Sequence, residues 1–132
     1  MKTSQFKVES WQEEWVVEGQ LAHAQATYSI EGDLKGSIQV DYSMYYFDYN
    51  KADVHQSTSR FEGFGIFTGE IDGQKGSFSY YDRGLYLESS FDTSIEIIAG
   101  SGTGDFKTIE GSGSYHPVGS NMKMTINLKM GD

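Results

Sequence analysis

Arg60 and Glu62 stand two residues apart in a run that also holds Phe64 and Ile66. On a β-strand that spacing puts both charges on one face. Turned inward, they would form a charge pair in an apolar interior, where the environment perturbs pKa values and acid–base chemistry becomes available. Turned outward, they are an ordinary surface or structural ion pair. Gly63, Gly65 and Gly69 occupy the opposite phase, and a glycine bulge would switch the inward face partway along the run. Tyr42, Met44, Tyr46, Tyr80 and Met124 fall at positions expected to point inward. They either line a pocket and orient a ligand or simply fill a core, and any buried hydroxyl needs a partner. With Arg60 and Glu62 they make up the expected cavity lining.

No residue set identifies a catalytic centre. His23, His55 and His116 lie on separate expected strands, without a metal-ligand spacing such as H-x-H or H-E-x-x-H. His23 and His116 fall on outward faces. No G-x-S-x-G elbow and no G-K-[ST] occurs. Neither a cofactor nor a bound metal is expected. Trp11 and Trp15 flank an irregular stretch; a lid over a barrel mouth, a subunit contact and plain packing are all open to them. The stretch Gly100-Ser101-Gly102-Thr103-Gly104-Asp105-Phe106 lacks both the dinucleotide-loop spacing and a following helix. It reads as a tight corner across one end of a barrel, with Phe106 as a plug.

The elements that must position these residues are strands. The 132 residues hold sixteen glycines, nine tyrosines, eight phenylalanines and one proline, a composition of pleated strands and tight bends. Alternation is clearest where Met122, Met124, Ile126, Leu128 and Met130 face away from Asn121, Lys123, Thr125, Asn127 and Lys129. Ile38 to Tyr46, Ala22 to Ile30, Leu85 to Ile97 and Phe6–Val8 repeat the pattern. Turns are expected at Gly32-Asp33, at Asp72-Gly73 (type I′), at Asp82-Arg83-Gly84 and across Pro117–Ser120. About eight strands result, near residues 4–11, 20–31, 34–47, 53–71, 75–82, 84–98, 108–116 and 120–130. Short connectors make neighbours antiparallel, and long one-sided strands need closure to bury their apolar face. The expectation is one all-β domain over 1–132: a closed antiparallel meander barrel. Gln12 to Gly19 has room for one short turn.

Several pieces carry a family resemblance. Gly102-Thr103-Gly104-Asp105-Phe106 with Ile109-Glu110-Gly111 resembles the glycine corner of allene oxide cyclases and dirigent proteins. With Phe6-Lys7-Val8-Glu9-Ser10-Trp11, Gly32-Asp33-Leu34-Lys35-Gly36, Tyr42-Ser43-Met44 and Gly69 through Phe78, the chain is similar over nearly its whole length to the bacterial domain-of-unknown-function family 3224. The resemblance implies an eight-stranded, allene-oxide-cyclase-like barrel. No residue matches the cyclases' polar site, so it implies no reaction.

Nineteen acidic against ten basic residues give a formal charge of −9. Phosphate backbones and anionic membrane surfaces are repelled by such a field, so neither nucleic acid nor a membrane is an expected partner. Cysteine is absent, which excludes disulfides and fits a reducing compartment. No apolar run follows the charged Met1–Lys7 opening, so no secretory leader is expected and the cytoplasm is the default location. Tyr45, Phe47 and Tyr86, placed outward, would suit a contact between copies in a homo-oligomer. Three functions remain open: binding a small, largely apolar molecule in the barrel, cofactor-free cyclase or isomerase chemistry there, or a solid-cored interaction protein. A continuous cavity separates the first two from the third.

Overall fold

The structure, a computed structural model, describes residues 1–49, 52, 58–87 and 90–130. Its strands are β1 (Lys2–Val17), β2 (Leu21–Gly32), β3 (Leu34–Asp48), β4 (Thr58–Ile71), β5 (Gln74–Leu87), β6 (Ser90–Ile97), β7 (Thr103–Gly104), β8 (Ile109–Val118) and β9 (Asn121–Met130). All pairings are antiparallel. β1 to β6 form a meander, β8 follows β6, and β9 returns to β1 through the Lys2↔Ile126 to Phe6↔Met122 register. Eight strands therefore close a ring, and the two-residue β7 extends it beside β5. The expected closed barrel is present.

Period-two patterning accounts for its interior. Ala22, Ala24, Ala26 and Ile30 of β2, and Ile38, Val40, Tyr42 and Tyr46 of β3, are buried, while most of their alternates are exposed. On β9, Met124 and Ile126 are buried, with Met122 and Leu128 partly so. The two ends differ. At the lower end, Asp72 (φ 51°) and Gly73 (φ 80°) make the β4–β5 turn with the left-handed backbone that the sequence predicts. The chain from Ile98 to Thr108 crosses this end, and Phe106 is fully buried against Phe67 and Phe78, with ring centroids 6.5 and 6.1 Å away. A β-carbon on Gly102 would lie 1.6 Å from the Phe106 carbonyl oxygen, so only glycine lets the corner close. At the upper end, turns follow β1 and β8, the latter at Gly119 (φ 64°).

Several expectations need correction. Asp82-Arg83-Gly84 is not a turn: β5 runs straight through it to Leu87, pairing Asp82 with Ile95 and Gly84 with Thr93. The inward phase Phe78–Tyr80–Asp82–Gly84–Tyr86 simply continues, because Asp82 is satisfied inside and Gly84 makes room for the Phe61 ring. Leu87 is consequently exposed rather than inward, and Tyr86 faces the interior rather than a partner surface. Gln12 to Val17 belong to β1, with the turn only after Val17. Val8 is 55 % exposed, because a bulge between Val8 and Ser10 ends the phase that buries Phe6. Arg60 and Glu62 are exposed on the outer wall with Phe64 and Ile66; the inward phase of β4 holds Ser59, Phe61, Gly63, Gly65 and Phe67. His55 lies outside the described residues.

Candidate functional site

The upper half of the barrel holds a cavity of about 330 Å³ that opens to solvent. Its walls are set by one row of paired residues running around the ring. Glu13 on β1 sits opposite Ala24, Ala24 opposite Tyr42, Tyr42 opposite Gly63, and Gly63 opposite Asp82. The small residues between the large ones leave the interior open at this level. Across Ala24, Glu13 reaches the β3 side chains; across Gly63, the Tyr42 hydroxyl reaches Asp82. The β1 bulge is what turns Trp11, Glu13 and Trp15 toward this space. Trp11 then stacks at 5.8 Å on Tyr42, and Trp15 meets Tyr46 edge-on at 5.3 Å, both over the alanines of β2.

Aromatic rings line most of the cavity. Tyr42 contacts Phe61 (5.6 Å), Phe61 contacts Phe91 (5.7 Å), Phe91 contacts Tyr115 (5.8 Å), Tyr115 contacts Phe6 (5.3 Å) and Phe6 contacts Tyr28 (5.0 Å). Tyr46, Tyr86, Met44, Met122 and Ser59 also line it, and Glu13 is the one charged member among the described residues.

Behind this wall lies a buried carboxylate. Asp82 is 1 % exposed, and among the described residues it has no ion-pair partner. Tyr115 donates its hydroxyl hydrogen to the Asp82 carboxylate, 2.9 Å from Oδ1 and 3.0 Å from Oδ2, and Tyr42 donates to Oδ2 at 3.1 Å. The Tyr28 hydroxyl stands 3.5 Å from that of Tyr42. Burial pushes the Asp82 carboxyl up from 3.8 to about 6, and the two phenol hydrogen bonds offset part of that rise. Burial likewise holds the Tyr42, Tyr80 and Tyr115 hydroxyls protonated, well above the usual tyrosine range. At the mouth, Glu13 accepts hydrogen bonds from Tyr46 Oη (2.8 Å) and Trp11 Nε1 (3.1 Å). Burial first, and the Glu13 carboxylate second, raise the Tyr46 pKa as well.

Of the residues singled out from sequence, the fold brings Tyr42, Met44 and Tyr46 together in the cavity wall. Tyr80 and Met124 are buried in the packed core instead. Arg60 and Glu62 belong to outer hollows, where Glu62 accepts a 2.6 Å hydrogen bond from Tyr81. His23 faces outward, as expected, and pairs with Asp41. His116 is exposed too, and the described residues contain no cluster of three His, Asp or Glu side chains suited to a metal ion. No helix among them is long and apolar enough to cross a membrane. Asp82, Tyr115 and Glu13 were not legible as site residues. For Asp82, the available signal was its place two residues beyond Tyr80, in phase with Phe78.

Comparison with known proteins agrees with the architecture. The family model described as "Protein of unknown function (DUF3224)" matches residues 2–129. A solved structure from Shewanella oneidensis MR-1, titled as a protein with unknown function from the same family, superposes with a TM-score of 0.82 at 17 % identity. The match covers 100 % of this chain and 98 % of that one. Among curated proteins, nothing matches.

Proposed function

The chain belongs to the DUF3224 family of proteins of unknown function, and from its own barrel we propose that it binds a small, largely apolar molecule in the upper cavity. The supporting observation is the cavity itself: about 330 Å³, walled by aromatic rings and two methionines, with a mostly apolar surface. That size and lining suit a small-molecule site. A solid-cored interaction protein would have no such space. Methionine side chains repack readily around ligands of different shape.

The buried carboxylate favours a second reading, a cofactor-free isomerase. Asp82 has the pKa of a working acid–base group, and Tyr115 or Tyr42 would relay its proton. Binding is preferred because Asp82 is not part of the cavity lining and both its oxygens are already engaged by phenols.

Titration with N-phenyl-1-naphthylamine, a neutral apolar fluorophore, tests the binding reading. Saturable fluorescence enhancement is expected in the wild type. It should weaken at least tenfold in Met44→Trp, where the indole occupies the cavity. Native mass spectrometry of detergent-free protein should show a retained small molecule. Absence of saturable binding, or equal binding by a folded Met44→Trp protein, would remove the proposal.

A further inference from the structure

We propose that the ligand is a small organic cation, an aryl- or alkylammonium, rather than a neutral or anionic molecule; this rests on the cavity being a binding site. Three features of the site carry the inference.

The first is the charge of its surroundings. Among the described residues Glu13 is the one charged side chain in the lining and no lysine or arginine takes part, and Asp82 lies directly behind Tyr42 and Tyr115. Both carboxylates are negative when ionised, and Asp82 has no basic partner among the described residues. A positive charge in the cavity would supply a counter-charge to buried Asp82, whereas an anion would be repelled by Asp82 and, at the solvent-exposed mouth, more weakly by Glu13.

The second is the direction of the hydroxyl hydrogens. Tyr42 and Tyr115 donate to Asp82, and Tyr46 donates to Glu13. Each phenol has spent its single hydrogen on a carboxylate, so what these three hydroxyls still offer is oxygen lone pairs. They can receive an N–H or C–H donor of an ammonium group but cannot satisfy a carboxylate or a carbonyl.

The third is the arrangement of ring faces. Trp11 lies tilted by 34° against Tyr42, and Phe61 stands perpendicular to Tyr42, so rings of different orientation surround one space. Wherever one of these rings turns its face to the cavity, it can bind an ammonium group by cation–π attraction. The formal charge of −9 would draw such a ligand toward the protein.

Competition against bound N-phenyl-1-naphthylamine with an isosteric pair, phenyltrimethylammonium and tert-butylbenzene, and with benzoate, provides the test. We expect phenyltrimethylammonium to displace the fluorophore at least tenfold more tightly than tert-butylbenzene, and benzoate to be the weakest. Glu13→Gln keeps an oxygen acceptor for Tyr46, so the protein should fold, and it should narrow the preference for the cation over tert-butylbenzene severalfold. Equal or tighter binding of tert-butylbenzene or benzoate would overturn the cation assignment while leaving an apolar ligand site in place. So would an undiminished preference in both Glu13→Gln and Asp82→Asn. Failure of the fluorophore itself to bind would remove the site reading that this inference rests on.

Discussion

Replacing Asp82 with asparagine should stabilise the protein at neutral pH relative to acid, because the carboxylate is costly where it sits. The side chain is 1 % exposed, and burial lifts its pKa from 3.8 to about 6. A folded-state pKa above the unfolded one means that the native protein binds the proton more strongly. Stability from this group is therefore fully present below the unfolded pKa and falls as pH rises through the window from 3.8 to about 6. The whole window corresponds to ~3 kcal/mol, and the part between pH 4.5 and pH 7.5 to ~2 kcal/mol. Asparagine matches the shape and does not titrate. Whatever its amide costs beside Tyr42 and Tyr115 is the same at both pH values, and the other carboxylates titrate alike in both proteins. Urea unfolding of wild type and Asp82→Asn at pH 4.5 and 7.5 isolates the effect. The stability difference between the proteins should move by ~2 kcal/mol in favour of the variant at the higher pH, or roughly 7 °C in Tm for a chain of this length. A difference that stays constant, or moves toward the wild type as pH rises, would refute the account of Asp82 as a desolvated carboxyl.

Tyr115→Phe removes a hydrogen-bond donor that stabilises ionised Asp82, so the Asp82 carboxyl should titrate above its present value of about 6; a 13C carboxyl titration by NMR that leaves the midpoint unmoved would contradict this. Gly65→Ala places a β-carbon 2.3 Å from Tyr80 Cζ, and the ring, 4 % exposed, has little space to retreat; the expected loss is ~1–3 kcal/mol in urea unfolding, and an unchanged midpoint would mean that the ring slides aside.

The corrections share a physical cause. Asp82-Arg83-Gly84 has turn composition, yet each residue has a tertiary reason to stay extended: Asp82 meets two phenols from β3 and β8, and Gly84 vacates space for Phe61 of β4. None of those partners is near in sequence. Arg60 and Glu62 could be placed on one face from spacing, but spacing does not say which face is inward. The glycines decided it, because Tyr80 lies across Gly65 and Tyr42 reaches over Gly63, so the emptier phase is the buried one. Trp11, Glu13 and Trp15 enter the cavity wall only because one bulge in β1 reverses the alternation that buries Phe6.

Local sequence alone determined the period-two faces of β2, β3 and β9, the Asp72-Gly73 hairpin and the glycine corner under Phe106, since each depends on neighbouring residues and backbone sterics. Tertiary structure decided which aromatic rings border open space, where the buried carboxylate lies, and which way the hydroxyl hydrogens point. Those properties belong to side chains converging from six or more strands across a closed ring, and distance along the chain carries no record of that convergence.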